Sequence, residues 1–425
     1  MGKIHPHDLR FVQTLILFFL SPARFAVWGF VVLGGDFMAG NANLGAAKAA
    51  KNDEFYTQWN DIENEMQAYL EYDPDVFRGK VVLLPCDDPE ASNFTKYFAL
   101  NFNKLGLKKL VSTSYAHCRK GRIYVMEQGA NLNDGASLSK GYLKWDRLEG
   151  DGDFRSDEVT KLRDEADMVI TNPPFSLFRE FMGWLVEGEV EFSVIGNMNS
   201  IACKEIFPLI KGNEMWLGAS RMGAKCFALP SNAPAKANQY EENGVRFQKF
   251  GNIAWFTNIE HGRRHEPLVL MSMEDNLLYG SKRVRSAGYP KYDNYDAIEV
   301  PETKAIPSDY DGVMGVPVSF LDKYSPEQFE IVWRSGDIEW AENECTFFTP
   351  PAKEQQYKHR AANKTWRVQK AYVLNDEGLA QAIYQRIFIR HRNPERKDPQ
   401  PLSRPRSGQS SLRCKRELSH IEVRG

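Results

Sequence analysis

The chain has 425 residues, enough to bury a large core and to form two or three domains. A hydrophobic content of 42% and a charged content of 26% are ordinary for a globular protein, and a formal net charge of −2 excludes a polyanion binder that works through global charge. The six cysteines are scattered and never form a Cys-x-x-Cys pair, which excludes a disulfide framework and a cysteine zinc site and fits reduced thiols in the cytoplasm.

Two apolar runs, Leu15–Leu20 and Phe25–Leu33, are split by Ser21-Pro22-Ala23-Arg24. Together they barely reach spanning length, and no small-residue cleavage site follows them. A membrane anchor is one reading, against which stand the central Pro22 and Arg24. We expect residues 1–50 to be a leader outside the enzyme with no membrane association, either disordered or, with Met38 the true start, translated over 1–37 from upstream sequence. The enzyme proper opens at Lys51-Asn52-Asp53-Glu54-Phe55-Tyr56-Thr57, where Asn52 or Thr57 could equally cap a helix. A polar helix around Asp61–Tyr69 follows.

Val81–Leu84 is a continuous apolar run suited to a central parallel strand. The loop Pro85-Cys86-Asp87-Asp88 stands at its carboxyl end, and Ser92 or Asn93 can cap a helix running through Phe98. Asp87 and Asp88 offer carboxylates for a ligand's ammonium group, or serve as an acidic helix cap. Lys108–Ser114 is the next strand. The segment Glu149-Gly150-Asp151-Gly152-Asp153-Phe154-Arg155 lacks the terminal glutamate of a calcium loop, and a plain turn remains open for it.

The most informative stretch is Asp167–Phe178. Met168–Ile170 reads as a buried strand, and Pro173 and Pro174 then stop any regular element. The chain is held extended just past the strand's carboxyl end, where open α/β sheets place their ligands. The Asn172 side-chain oxygen and the Pro173 carbonyl can both accept hydrogen bonds from an exocyclic amine, and the Phe175 ring can lie on a flat base. Such an amine is a poor nucleophile because its lone pair is delocalised into the ring. Two acceptors favour its pyramidal form and match the positive charge that grows as an alkyl group arrives. A surface Pro-Pro turn ahead of a helix is the bland alternative.

Leu177–Val186 then reads as an amphipathic helix, Glu191–Ile195 as a strand and Asn252–Asn258 as another. Trp255 or Phe256 could supply a second wall opposite Phe175, though two core aromatics would look the same. His261 and His265 lie four apart, but Gly262, Arg263 and Arg264 argue for a basic loop, and no metal site is expected. Further basic clusters, Ser281–Lys291 and Lys353–Lys370, are interleaved with Tyr289, Tyr357 and Trp366. Arg263, Arg264, Lys282, Arg283 and Arg285 are therefore candidate phosphate contacts, or simply solvated charges. From His391 the composition turns to Pro, Ser, Arg and Gln, and residues 391–425 read as a basic disordered tail.

Asn172–Phe175 matches the Asn-Pro-Pro-Phe box of amino-methyltransferases. More broadly, Lys51–Thr57, Leu84–Phe94, Gly150–Ser156, Asp167–Phe181, Phe192–Ser200 and Trp255–Asn258 resemble the EcoRI-type adenine-specific DNA methyltransferases. So do Asn294–Pro301, Asp311–Glu330 and Gln385–Arg390, which carries the likeness from Lys51 to Arg390. The resemblance implies an α/β fold: a Rossmann-like methyltransferase sheet with helices on both faces, plus a C-terminal DNA-recognition region. It divides the chain into a catalytic domain at 51–258 and a target-recognition region at 259–390. It implies S-adenosylmethionine as cofactor, held by Phe55, Tyr56, Thr57, Pro85, Asp87 and Asp88 around the methionine part. Asp153 and Phe154 would hold its adenine, and Asn172, Pro173, Pro174 and Phe175 would be catalytic. The usual glycine-rich turn is missing, and Ser112, Thr113 and Ser114 stand where an acid would hold the ribose. The implied partners are double-stranded DNA and a restriction endonuclease acting on the same sequence without a stable complex. RNA or a glutamine amide as acceptor, and a catalytically dead DNA-binding relative, are the rival readings.

Overall fold

A computed structural model of the protein describes residues 56–127, 144–220, 223–229, 239–337, 343–349 and 370–395. An eleven-stranded sheet organises the first part of the chain. Its strands are β1 (Tyr56–Thr57), β2 (Val81–Leu84), β3 (Lys109–Ser114), β4 (Arg122–Glu127), β5 (Lys144–Arg147), β6 (Met168–Thr171), β7 (Glu191–Asn197), β8 (Trp216–Leu217), β9 (Gly223–Ala228), β10 (Gln239–Glu242) and β11 (Val245–Thr257). The order across the sheet is β1-β9-β11-β7-β6-β2-β3-β4-β5, with β8 and β10 both on β11. Only β7-β6-β2-β3 is parallel; β11 runs against β7, and β4 against β3.

The apolar runs form the central strands because both faces of those strands are covered. Val82, Leu84, Met168 and Ile170 enter one core, and Leu83 and Val169 the other, as the two-residue side-chain period requires. Helices α1 (Trp59–Tyr72) and α2 (Asn93–Leu100) send Met66, Tyr69, Phe94 and Phe98 into the first core. Helices α3 (Asp157–Asp164) and α4 (Phe178–Glu187) send Val159, Phe181 and Leu185 into the second. Ser92 caps α2, accepting from the Phe94 N–H at 3.0 Å, and Ser156 caps α3 through the Val159 N–H at 3.3 Å. The sheet with helices on both faces is the expected α/β class.

Beyond Asn258 come α5 (Met273–Tyr279) and α6 (Lys282–Ala287), and a second sheet ordered β12 (Ile298–Glu299), β13 (Met314–Pro317), β17 (Arg386–His391) and β14 (Phe329–Arg334). β15 (Tyr372–Leu374) and β16 (Ala380–Ala382) form a separate ribbon. The expected boundary at 258/259 is not a gap in packing. Ile298, Met314, Phe320, Phe329 and Ile387 belong to the same core as Phe178, Val194 and Phe256.

The expected tail begins too early. His391 completes β17 and is buried, with its Nε2 2.8 Å from the Pro307 carbonyl. The Arg392 and Glu395 N–H groups donate to Gln328 and Ser308 at 3.0 and 2.9 Å. Residues 391–395 are therefore part of the fold, tied back to Pro307, Gln328 and Ser308. Residues 1–50, Phe55, Tyr357, Trp366 and most of the Lys353–Lys370 cluster lie outside the described residues.

Candidate active site

The chain passes from β2 to β3 on one side, then returns to place β6 on the other side of β2. A crevice at such a reversal, past the carboxyl ends of the strands, is where ligands bind in open α/β sheets. Two loops leave β2 and β6 at this point: Pro85-Cys86-Asp87-Asp88 and Asn172-Pro173-Pro174.

Thr171 ends β6 and donates its hydroxyl to Asp87 Oδ2 at 2.5 Å. Ser92 donates to Asp87 Oδ1 at 2.6 Å. Asp87 is buried, and burial pushes its carboxyl up to about 7 against those two stabilising donors. Asp87 is thus a brace between the two loops. Burial first, then the Asp87 and Asp153 carboxylates, push the adjacent Cys86 thiol well above its ordinary value, so it stays protonated.

Asn172 is half-buried and Pro173 buried at the mouth of the crevice. Pro174 leads into a 3-10 turn, Phe175–Leu177, closed by the Leu177 N–H on the Pro174 carbonyl at 2.9 Å. That turn holds Phe175 half-buried at the start of α4, edge-on to Phe227 of β9 and Phe250 of β11, with centroids 6.3 and 6.1 Å away. The sheet register explains this meeting. Ile253 pairs with Asn197 at the end of β7, so the part of β11 before it runs beyond the parallel strands and over the crevice. Phe227 and Phe250 were not singled out by sequence. The available signal was the pair of aromatics, Phe247 and Phe250, ahead of Ile253, hidden because the apolar run around Trp255 looked stronger.

Other expected residues converge on the same edge. β1 pairs with β9, and Asn93 donates to the Thr57 carbonyl at 2.8 Å. The Thr57 hydroxyl is buried and bonds no described atom. Asp88 is half-buried and accepts from the Glu90 N–H at 2.9 Å. A buried hydroxyl that bonds no described atom, with the Asn93 carboxamide on the same residue, is a polar set that could hold the amino-acid end of a cofactor. The 150–153 turn packs on the end of β3: Gly152, at φ +84°, stands where a Cβ would lie 2.3 Å from the Ser114 carbonyl. The hydroxyls of Ser112 and Thr113 are spent on the Asp87 and Pro85 carbonyls, at 2.9 and 3.1 Å.

Several expectations are corrected. Phe154 is buried, with Phe181 and Trp184 of α4 against its ring, so the ring is taken up in that core. Asp153 forms a two-pronged pair with Arg155 at 2.6 and 2.9 Å, which accounts for the turn. Trp255 and Phe256 are fully buried on opposite faces of β11, against Phe94 and Phe178, and neither can wall a base pocket. Arg264 is buried over the Trp216 ring and paired with Glu260; Arg263 is paired with Asp322 at 2.7 Å. These two arginines hold the fold and are not phosphate contacts. His265 lies between Glu327 and Glu260 at 2.8 and 3.0 Å, so the segment is a paired 3-10 turn and not a free basic loop. Lys282, Arg283 and Arg285 are exposed. Among the described residues no cluster of three His, Cys, Asp or Glu could hold a metal ion.

A family model for the EcoRI adenine-specific methyltransferase matches residues 43–392, most of the chain. This chain belongs to that family. It is 43% identical over 305 residues to the type II methyltransferase M.EcoRI of Escherichia coli, covering 69% of this chain and 89% of the relative. It is 38% identical over 291 residues to M.MpnI of Mycoplasma pneumoniae, 67% of this chain and 83% of that one. With M.MgeORF184P of Mycoplasma genitalium it shares 37% over 290 residues, 67% and 84% of the two chains. No solved structure matches. As a member of the family the chain is an adenine-specific methyltransferase. No described helix is long and apolar enough to cross a membrane.

Proposed function

We propose that this adenine-specific DNA methyltransferase takes its methyl group from S-adenosylmethionine and places it on the exocyclic amino nitrogen of an adenine flipped out of double-stranded DNA. We place it in a restriction-modification pair, beside an endonuclease that reads the same sequence without a stable complex. The observation that carries this reading is the Asn172-Pro173-Pro174-Phe175 corner at the strand-order reversal, braced to the β2 loop through Thr171 and Asp87.

When bound, S-adenosylmethionine supplies a methyl group on a sulfonium centre. Thr57, Asn93 and Asp88 would hold its amino-acid end, on the strength of the unbonded Thr57 hydroxyl. Tyr56 precedes Thr57 in β1, and Pro85 is buried at the start of the loop after β2. Flipping is needed because a paired amine has neither a free lone pair nor an open approach, and the unstacking costs a few kcal/mol. Phe175 returns part of that by stacking, with Phe250 as the second aromatic edge in place of Trp255 and Phe256. The Asn172 oxygen and the Pro173 carbonyl accept from the amine, so its lone pair turns toward the incoming methyl. The proton leaves nitrogen after transfer, so no strong base is required. Positioning supplies most of the acceleration.

Asn172→Ala tests the reading. Labelled methyl transfer to DNA should fall by a factor of about 100 or more, the usual cost of one lost transition-state acceptor, with S-adenosylmethionine affinity nearly unchanged. Near-normal transfer by that variant would overturn the role of the corner.

A further inference from the structure

The segment from Ser272 to Ala287 folds as two short helices, α5 and α6, joined by Gly280 and Ser281. Its inner side is firmly held. Val284 is fully buried in the main core, Asn276 is buried and donates to the Met271 and Ser272 carbonyls, and the Ser281 hydroxyl donates to Glu302 at 3.1 Å. The Met273 N–H donates to Asp309 at 2.8 Å. Gly280 packs so tightly on Asn276 that a Cβ would lie 2.3 Å from its carbonyl oxygen.

The outer side is different. Leu277, Leu278 and Tyr279 follow one another at 42%, 56% and 75% exposure. Lys282, Arg283 and Arg285 come next, all exposed, and none forms an ion pair among the described residues. Some other exposed cations are paired, as Arg155 is with Glu180, Lys291 with Asp296 and Arg390 with Glu330. Glu274 and Asp275 lie in the first turn of α5, before the apolar tip. An apolar knob of three residues on a rigid base, followed at once by three unpaired cations, has no use within this fold.

Resting on the DNA reading above, we propose that the α5–α6 hairpin is a duplex-docking element of this enzyme. Lys282, Arg283 and Arg285 neutralise phosphates, and Leu277, Leu278 and Tyr279 enter the groove against sugars, thymine methyls or an opened base step. A second copy of the chain is the other apolar partner to weigh. A two-fold contact through this patch would gather six of these cations in one interface with only Glu274 and Asp275 of each copy's hairpin as countercharge, which disfavours it. A phosphate backbone supplies the missing countercharge.

Two variants test this, Lys282→Gln/Arg283→Gln/Arg285→Gln and Leu278→Ala/Tyr279→Ala, each in the full chain. Affinity is measured by anisotropy on a labelled mixed-sequence duplex across salt concentrations, beside S-adenosylmethionine affinity, melting temperature and oligomeric state. The charge variant should flatten the slope of log K against log salt by up to about 2.7, that is about 0.9 for each phosphate no longer neutralised. Its affinity loss between about 50 and 200 mM salt would then be about 40-fold smaller than that of the unaltered enzyme. The apolar variant should lose about tenfold in affinity at every salt concentration with the slope kept. Cofactor affinity and melting temperature should hold in both. An enzyme that methylates DNA while both variants bind the duplex like the parent overturns the docking assignment and leaves the methyltransferase reading intact. An apolar variant that changes only the oligomeric state also overturns it. Failure of the unaltered chain to transfer methyl to DNA would count against the reading itself.

Discussion

Asp87 is a carboxylate removed from water, bonded by two hydroxyls and faced by no cation among the described residues. Its folded value of about 7 lies above the ordinary 3.8. The folded chain therefore keeps a proton that the unfolded chain releases, and the sign follows directly: this contribution to stability is full below the ordinary value and lost as pH rises through about 7. Asp87→Asn keeps the site neutral, and Thr171 and Ser92 can accept as well as donate. We expect the stability of this variant relative to the parent to rise by about 2–3 kcal/mol from pH 5 to pH 8, at 1.36 kcal/mol per unit, and then to level off. Denaturant melts at the two pH values check this. A relative stability that stays constant would show that the buried carboxyl does not titrate in that range. The sequence made the corner residues legible because Pro-Pro and a buried strand fix backbone position by themselves. It could not show that Asp87 would bond Thr171, since those residues lie 84 apart and only the sheet order brings them together.

At the scale of elements, α1 and the loop after β8 are joined by a single carboxylate. Glu65 is fully buried and accepts from the Tyr69 hydroxyl at 2.7 Å and from the Ala219 and Ser220 N–H groups at 2.8 and 2.7 Å. Tyr69 in turn shares a hydrogen bond with Ser193 of β7 at 2.9 Å, so the carboxylate reaches the central sheet through one ring. Gly218 is required beside it, because a Cβ there would sit 2.1 Å from Glu65 Oε1. Glu65→Ala removes the acceptor of the buried Tyr69 hydroxyl and of the half-buried Ala219 and Ser220 N–H groups, each unmet donor costing about 1–3 kcal/mol. We expect a loss of about 3 kcal/mol or more, with Glu65→Gln recovering part of it, read from urea midpoints at unchanged slope. A loss below about 1 kcal/mol would mean that water reaches those donors. The polar helix was readable from composition, whereas the buried glutamate on its inner face was not, because its partners are backbone groups about 150 residues away. Trp255 and Phe256 were misread for a related reason. Aromatics in a strand look alike from sequence whether they wall a pocket or fill a core, and here α2 and α4 cover both faces of β11.

Over the whole molecule, the catalytic sheet and the second sheet share one apolar interior. Val194 and Phe256 sit in the same core as Met314, Phe320 and Ile387. Phe207 meets Trp333 at 5.4 Å, Lys211 lies 4.8 Å over that Trp333 ring, and Arg263 donates to the Ala219 carbonyl at 2.7 Å, all across the boundary. A linear reading into domains at 51–258 and 259–390 places a border where the motifs stop, but packing has no border there. Removing everything after Asn258 would bare a contiguous apolar face and strip Phe207 of its aromatic partner, a surface larger than soluble monomers tolerate. We expect residues 47–258 alone to aggregate or to melt without a cooperative transition, and residues 47–395, which retain His391 and the bonds from Glu395 to Ser308, to unfold in one step. Differential scanning calorimetry of both fragments decides it. A sharp transition in the shorter fragment, with cofactor binding retained, would show that the methyl-transfer half folds by itself and that the shared core is an interface between separate domains.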